Sequence, residues 1–395
     1  MAVMKPLDGV RVLDLTRLLP GAYATLMFAD LGADVIKIED PRGGDPGRTM
    51  PPLANGTSAS FELLNRNKRS VTLDLRSPDA AAILDALVAR ADVLVDSFRP
   101  STARRLGVDA ATMRARHPRL ICASITGFGQ TGPYVDHPAH DINYEALSGV
   151  LAIRGRPEVP RHLVADIGAG LNAASGILAA LFQRERTGIG AAIDVALHDA
   201  ALAWLLFPAA GQLVAGADAD PRTVPIAGAD ACYNIYETKR DGECLALGAI
   251  ESKFWSAFCE RVGRPDLAGT QQSDGEARAR ALDEIRAIMR TRSRDEWLAR
   301  FADLDVCLCR VNSVAEALAD PHVVARGAVT ASSSGTTYIT TPMTITVSGS
   351  PAEHDEARRY TVVAAPALGA DTDVVLDAAG IDEMARLDLR RRGVI

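Results

Sequence analysis

A histidine and an aspartate stand side by side in AHDINYEALSGVL (139–151), a small-residue stretch where nothing nearby calls for charge. His140-Asp141 lies just ahead of a segment that reads as a buried helix. Either the pair is a satisfied structural contact or it does proton chemistry, since an imidazole titrates near neutrality and can both take and return a proton. A second acid, Asp166 in LVADIGAG, opens a helical stretch ahead of Gly168-Ala169-Gly170. There a carboxylate sits beside backbone N–H groups that a helix leaves without internal partners. Taken alone, Asp166 reads as a helix N-cap.

A third group is basic. LNRNKRS (64–70) brings Arg66, Lys68 and Arg69 just before a strand; Arg76 follows that strand, and Arg99 and Arg105 follow the next one in FRPSTARRLG. The chain is acidic overall, net −7 from 43 basic and 50 acidic residues, which argues against nucleic acid as a partner. Arginines gathered at successive strand ends of such a chain point instead to a phosphate-bearing small molecule, the alternative being a solvated basic face. A dinucleotide would want G-x-G-x-x-G after the first strand, but that turn reads LTRLLPG, and GAGLNAASG (168–176) lacks the third glycine at the right spacing. Cys307 and Cys309 form a C-x-C without a zinc pattern, and the six cysteines are expected to be reduced, mostly buried thiols. The remaining histidines show no ligand spacing, so no metal is expected.

The elements that must position these residues alternate along the first third. Strands are expected at 11–15, 33–39, 70–75, 91–98 and 119–125, with helices from Pro20-Gly21 through Leu31, after Ser77-Pro78, and near 109–116. Strand–helix alternation implies a parallel sheet covered on both faces, with ligands at the carboxyl ends of its strands. A helix over 171–190, ending at Gly188, and a strand AAIDVAL extend the pattern. A hairpin around Asp241-Gly242 (230–248) and helices at 252–262, 275–291 and 294–303 then signal a smaller domain. The expected organisation is α/β: a large Rossmann-like domain from 1–195 and 325–395, a linker at 196–224, and a small α+β domain over 225–320. No leader peptide or membrane-spanning run is legible, so the expected location is cytoplasmic.

RVLDLTRLLPGAYATLMFADLGADVIKIEDP, NRNKRSVTLDLRS, DVLVDSFRPSTARRLG and ITGFGQTGP together resemble the class III CoA-transferase family, which includes the α-methylacyl-CoA racemases. The resemblance runs from about residue 7 to the terminal GVI. It implies a large domain built from both chain ends, an inserted small domain, and two subunits interlinked like chain rings. It makes coenzyme A the phosphate-bearing ligand, carried in as part of an acyl-CoA thioester substrate, with no separate cofactor. It places Arg76, Arg99 and Arg105, with Leu73, where family members hold the CoA nucleotide. Asp40 stands where relatives often carry arginine, and Arg42 is the substitute.

The family divides by reaction. Transferases use an aspartate as nucleophile through acyl-anhydride and thioester intermediates; racemases move the proton alpha to the thioester carbonyl. Asp166 matches the aspartate of both. His140-Asp141-Ile142-Asn143-Tyr144 matches the racemase segment from the histidine onward, and Glu251 in GAIESKFW matches a racemase glutamate. GQLVAGADADPRTVPIAGAD lacks the glycine-rich run of transferases, whereas the long loop 41–60 with GGDPGR is transferase-like. The preferred expectation is a 2-methylacyl-CoA racemase in which His140, polarised by Glu251, and Asp166 serve opposite faces of the α-carbon. Asp141 would orient His140 or cap the following helix, and Tyr144 would line the pocket. The alternatives are CoA transfer through Asp166 and a non-catalytic CoA-binding relative.

Overall fold

The computed structural model describes residues 5–54, 56–154, 157–216, 227–271, 273–332, 335–346 and 362–395. The chain divides into two units, one of residues 1–150, 158–204 and 321–395, the other of 151–157 and 205–320.

The larger unit is built on six short apolar strands: β1 (Arg11–Leu15), β2 (Asp34–Glu39), β3 (Arg69–Thr72), β4 (Val93–Asp96), β5 (Ile121–Thr126) and β6 (Ala192–Ala196). They pair in the order β3-β2-β1-β4-β5-β6, every neighbouring pair parallel. Alternate residues feed two cores, as a sheet covered on both faces demands. Val12, Val93 and Val95 point to one, under α1 (Leu18–Asp30), α4 (Asp141–Ser148), α5 (Val164–Thr187) and α6 (Leu197–Leu202). Leu13, Leu15 and Leu94 point to the other, under α2 (Ala80–Val88), α3 (Pro100–Leu106) and the C-terminal helices α10 (Thr372–Ala378) and α11 (Glu383–Arg391). The chain end is sewn to β3 and its exit: Asp371 N–H donates to Ser70 O at 2.9 Å, and Asp74 N–H to Val394 O at 2.8 Å. Strand order reverses between β1 and β4, and loops leaving the carboxyl ends there diverge to open a crevice.

The smaller unit has its own core of Tyr236, Leu245, Trp255, Phe258, Ile285 and Trp297. Its antiparallel sheet β9-β8-β7 comprises β7 (Tyr233–Glu237), β8 (Cys244–Gly248) and β9 (Leu308–Arg310), covered by α7 (Ser252–Val262), α8 (Gly275–Met289) and α9 (Arg294–Phe301).

Several expectations need correcting. Residues 196–204 are not linker: Ala196 completes β6, and Leu197, Ala200 and Ala201 are buried in the first core. Residues 217–224 of that linker, and the same part of the run compared with the transferase glycine loop, lie outside the described residues. α5 starts at Val164, seven residues before the expected 171, because Gly168 and Gly170, poor helix formers in isolation, serve close packing. A Cβ at Gly170 would lie 2.9 Å from Pro20 O of α1. α5 is long and apolar enough to cross a membrane by composition, yet its Ala165, Ala169, Ala173 and Ile177 are at 0% exposure inside the core. The third strand of the small sheet, Leu308–Arg310, has no signal in the sequence, because three residues carry little periodicity. The six cysteines are free as expected, but Cys307 and Cys309 are exposed.

Candidate active site

Below the crevice lies a layer of buried charge. Asp14, mid-β1, accepts from Thr16 Oγ1 and Thr25 Oγ1, each at 2.6 Å, and from Lys68 Nζ at 3.2 Å. Lys37 Nζ donates to Thr16 O at 2.8 Å and pairs with Asp45 at 2.9 Å. Burial works to raise the Asp14 carboxyl, but Lys37 and Lys68 beside it hold it down at about 2. Asp45 also accepts from the N–H of Leu18 at 3.2 Å, a leucine held at φ 61 where α1 begins. The layer thus pins the β1–α1 turn against the GGDPGR loop.

Ion pairs, within this layer for Lys68 and outside it for Arg66 and Arg69, remove three residues from the basic cluster. Lys68 is occupied by Asp14, Ala22 O, Thr25 and Asn65; Arg66 pairs with Asp30 at 2.6 Å; Arg69 pairs with Asp34 and Asp371. Arg66 and Lys68 precede β3 and Arg69 opens it, so all three lie towards its amino end, away from the carboxyl edge where a ligand would sit. Periodicity could not reveal this, because their partners come from distant segments.

At the carboxyl edge a cavity of about 260 Å³ opens among the turns after β1, β2, β3 and β4, lined by Arg17, Asp40, Leu73, Asp74, Arg76, Phe98 and Arg105 among others. Leu73 is buried in its floor. Arg17 lies over the Phe98 ring, 5.9 Å from the centroid. Arg42 does not line the cavity but forms ion pairs with two residues that do, Asp40 and Asp74. Arg99, exposed at the N-cap of α3, is also outside the lining. Its charge acts on Tyr144 instead.

A second grouping forms where α4 packs over the exit of β5. A Cβ at Gly127 would fall 2.4 Å from Tyr144 Oη, so only glycine lets the tyrosine sit there. Tyr144 is buried, donates to Ala139 O at 3.1 Å and packs edge-on against Phe128 at 5.2 Å. Burial pushes its hydroxyl up to about 12, which suits a wall rather than a proton carrier. His140 is exposed and caps α4 through its backbone, its N–H donating to Asn143 Oδ1 at 3.0 Å.

Asp141 does not orient His140. Its Oδ1 accepts the backbone N–H of Asp166 at 3.0 Å, tying the first turns of α4 and α5 together across 25 residues. Its Oδ2 is buried with no hydrogen-bond partner among the described residues. Asp166 is not the N-cap of α5; Leu163 is, and Asp166 sits in the first turn. The glycines after it are one turn inside the helix and buried, and the Ile167 N–H bonds to Leu163 O, so free amides are not lined up behind the carboxylate as the motif suggested. Burial raises the half-buried Asp166 carboxyl, and the charge of Asp141 adds to it, bringing it to about 7. A carboxylate with that value is a stronger base and nucleophile than an ordinary one, and such shifts gather at functional sites. Glu251 belongs to the smaller unit, exposed at the N-cap of α7.

Among the described residues no group of three or more His, Cys, Asp or Glu side chains could hold a metal ion. The family described as CoA-transferase family III matches residues 7–372. A succinate–glutarate CoA-transferase of Agrobacterium fabrum is 36% identical over 346 residues, 82% of this chain and 84% of that protein. A succinyl-CoA–D-citramalate CoA-transferase of Chloroflexus aurantiacus is 35% identical over 335 residues, 82% of this chain and 83% of that one. Among solved structures, a CAIB/BAIF family protein from Brucella suis superposes with a TM-score of 0.80 at 29% identity, covering 95% of this chain and 99% of its own.

Proposed function

The chain belongs to CoA-transferase family III, and from that premise we propose that it moves coenzyme A from an acyl-CoA to a free carboxylic acid, with Asp166 as the nucleophile. The reading expected first, a 2-methylacyl-CoA racemase, gives way: the reported relatives carry transferase names, and the His140 contacts seen here are those of a helix cap. The observation that carries the proposal is the half-buried Asp166 carboxyl, raised to about 7 beside Asp141.

In this mechanism the ionised Asp166 attacks the thioester carbonyl of the donor and CoA leaves as its thiolate, giving an acyl–aspartyl anhydride. The thiolate attacks the aspartyl carbonyl, releasing the donor acid and leaving CoA as a thioester on Asp166. The acceptor carboxylate attacks that thioester, forming a second anhydride and freeing the thiolate again. Attack of the thiolate on the acceptor's acyl carbon yields the new CoA ester and restores Asp166. Every bond made is matched by one broken, so no oxidant and no cofactor beyond CoA is called for. A site that is apolar around Asp166 favours the neutral anhydride over the ionised acid.

Arg76 and Arg105, with Leu73 beneath, are proposed to hold the CoA nucleotide, and Arg99 to stand between that cavity and Tyr144. Short dicarboxylic acids, the kind named in the relatives, are the proposed acyl groups. The interlinked homodimer is part of the same proposal. The test is direct: incubation with succinyl-CoA and free glutarate yields glutaryl-CoA, and Asp166→Ala lowers the rate by at least about a thousandfold. A 2-methylacyl-CoA in deuterated water shows no exchange at the α-carbon. Exchange there without formation of a new CoA ester overturns the proposal in favour of racemisation.

A further inference from the structure

Two D-x-R triplets, Asp40-Pro41-Arg42 and Asp74-Leu75-Arg76, follow the neighbouring parallel strands β2 and β3, and the register pairing Glu39 with Thr72 brings them side by side with an offset of one residue. Each aspartate turns back on its own backbone: Asp40 Oδ1 accepts from the Arg42 N–H at 3.0 Å, and Asp74 Oδ1 from the Arg76 N–H at 3.1 Å. Each carboxylate then grips both guanidinia. Arg42 meets Asp40 at 3.0 Å and Asp74 at 2.8 Å, while Arg76 meets both at 2.9 Å. The product is a closed ring of four charges, net zero, at the edge of the cavity proposed for CoA. Its arginine side chains are 60% exposed, against 25% for Asp40 and 17% for Asp74, so the guanidinia are the outward members. The backbone of Asp74 is also anchored to the chain end through Val394 O.

We propose that Asp40 is an internal competitor for phosphate. It holds Arg42 and Arg76 in place before the ligand arrives, and it is the carboxylate whose hold on them an incoming phosphate must displace. Asp40 thereby sets the affinity of the cavity for a phosphate-bearing cosubstrate. A guanidinium offers a planar fork that fits carboxylate and phosphate alike, so exchange of one for the other needs little rearrangement. The inference rests on the reading of CoA as the ligand and assigns a residue that weakens, rather than makes, its binding.

The test is calorimetric titration of the full chain and of Asp40→Asn with CoA, dephospho-CoA and adenosine. Loss of one carboxylate charge beside a bound phosphate at the protein surface is expected to tighten CoA binding about three- to tenfold, with the gain fading at about 1 M salt. Adenosine, which has no phosphate, gains nothing. A gain that vanishes with dephospho-CoA assigns the ring to the 3′-phosphate; one that persists assigns it to the diphosphate. Asp40→Glu, which keeps the charge, stays near the parental affinity. Unchanged or weaker CoA binding by Asp40→Asn, an equal gain with adenosine, or equal tightening by Asp40→Glu overturns the inference. Failure of the transferase proposal looks different: CoA binds, the Asp40 effect is intact, and no new CoA ester forms.

Discussion

An aspartate whose carboxyl titrates at about 7 is a nucleophile only on the alkaline side of that value. The rate of thioester attack, read as kcat/KM, is therefore expected to fall as pH drops below about 7. Burial is the larger cause of the shift and Asp141 the smaller. The titratable groups on the elements packed against α5 are Asp141, Tyr144 and the buried Glu145 on α4 with His140 at its cap, Tyr23 and Asp30 on α1, His198 and Asp199 on α6, Cys122 on β5 and Asp194 on β6. Asp141→Asn keeps an oxygen to accept the Asp166 N–H but removes the charge. It should move the acid limb to lower pH without abolishing it, and an unmoved limb in a pH–rate profile would show that Asp141 serves only as a cap. The same shift has a consequence for stability. The folded value lies above the unfolded one, so the contribution is complete below the ordinary carboxylate value and is lost as pH rises through about 7. Asp166→Asn, which cannot ionise, is then expected to gain melting temperature over the parent at pH about 8 and less at about 5.

At the scale of elements, the placement of Asp166 depends on how closely α5 approaches α1. Pro20 O and Tyr23 Cδ1 would lie 2.9 and 3.0 Å from a Cβ at Gly170, one turn beyond the proposed nucleophile, and one of those contacts is backbone that cannot simply rotate away. Gly170→Ala is expected to destabilise the protein by about 1–3 kcal/mol as the helices are forced apart. Because the displaced turn carries Asp166, turnover should fall as well. Urea unfolding, with the rate measured on the fraction still folded, separates the two effects, and a stability within about 0.5 kcal/mol of the parent would mean the helices have room to spare. Asp14, Lys37 and Lys68 act at the same scale, fixing the start of α1 from below, and Asp45, which also lines the cavity, ties them to the 45–47 turn.

For the whole molecule, the residues expected to act together are divided between the two units: His140, Asp141, Tyr144 and Asp166 in the larger, Glu251 in the smaller. Transfer through Asp166 needs neither His140 nor Glu251 as proton carriers. His140→Ala and Glu251→Gln are accordingly expected to retain CoA transfer to within about tenfold, where Asp166→Ala does not. A thousandfold loss in either would return proton transfer to the centre of the mechanism. The proposed interlinked dimer predicts a sedimentation mass twice that of the chain at micromolar concentration, and an active monomer would remove it.

The sequence alone determined the alternating strand–helix pattern of the first two hundred residues and the hairpin and helices of the small unit, and it singled out Asp166 near the start of a helix. These are local signals: apolar periods, proline and glycine at turns, and one acid where a helix begins. The family was legible too, because its motifs are long contiguous runs. What only the tertiary structure decided was which charges are spoken for. Lys68 and Arg66 look like ligand-binding residues in NRNKRS, yet Asp14 and Asp30 neutralise them from 54 and 36 residues away. Asp141 looks like the partner of the histidine beside it, but its carboxylate meets the amide of Asp166. Asp40 and Asp74 carried a visible D-x-R repeat, whose meaning appeared only when β2 and β3 paired side by side. A Coulomb interaction depends on distance in space and on burial, and a linear chain displays neither.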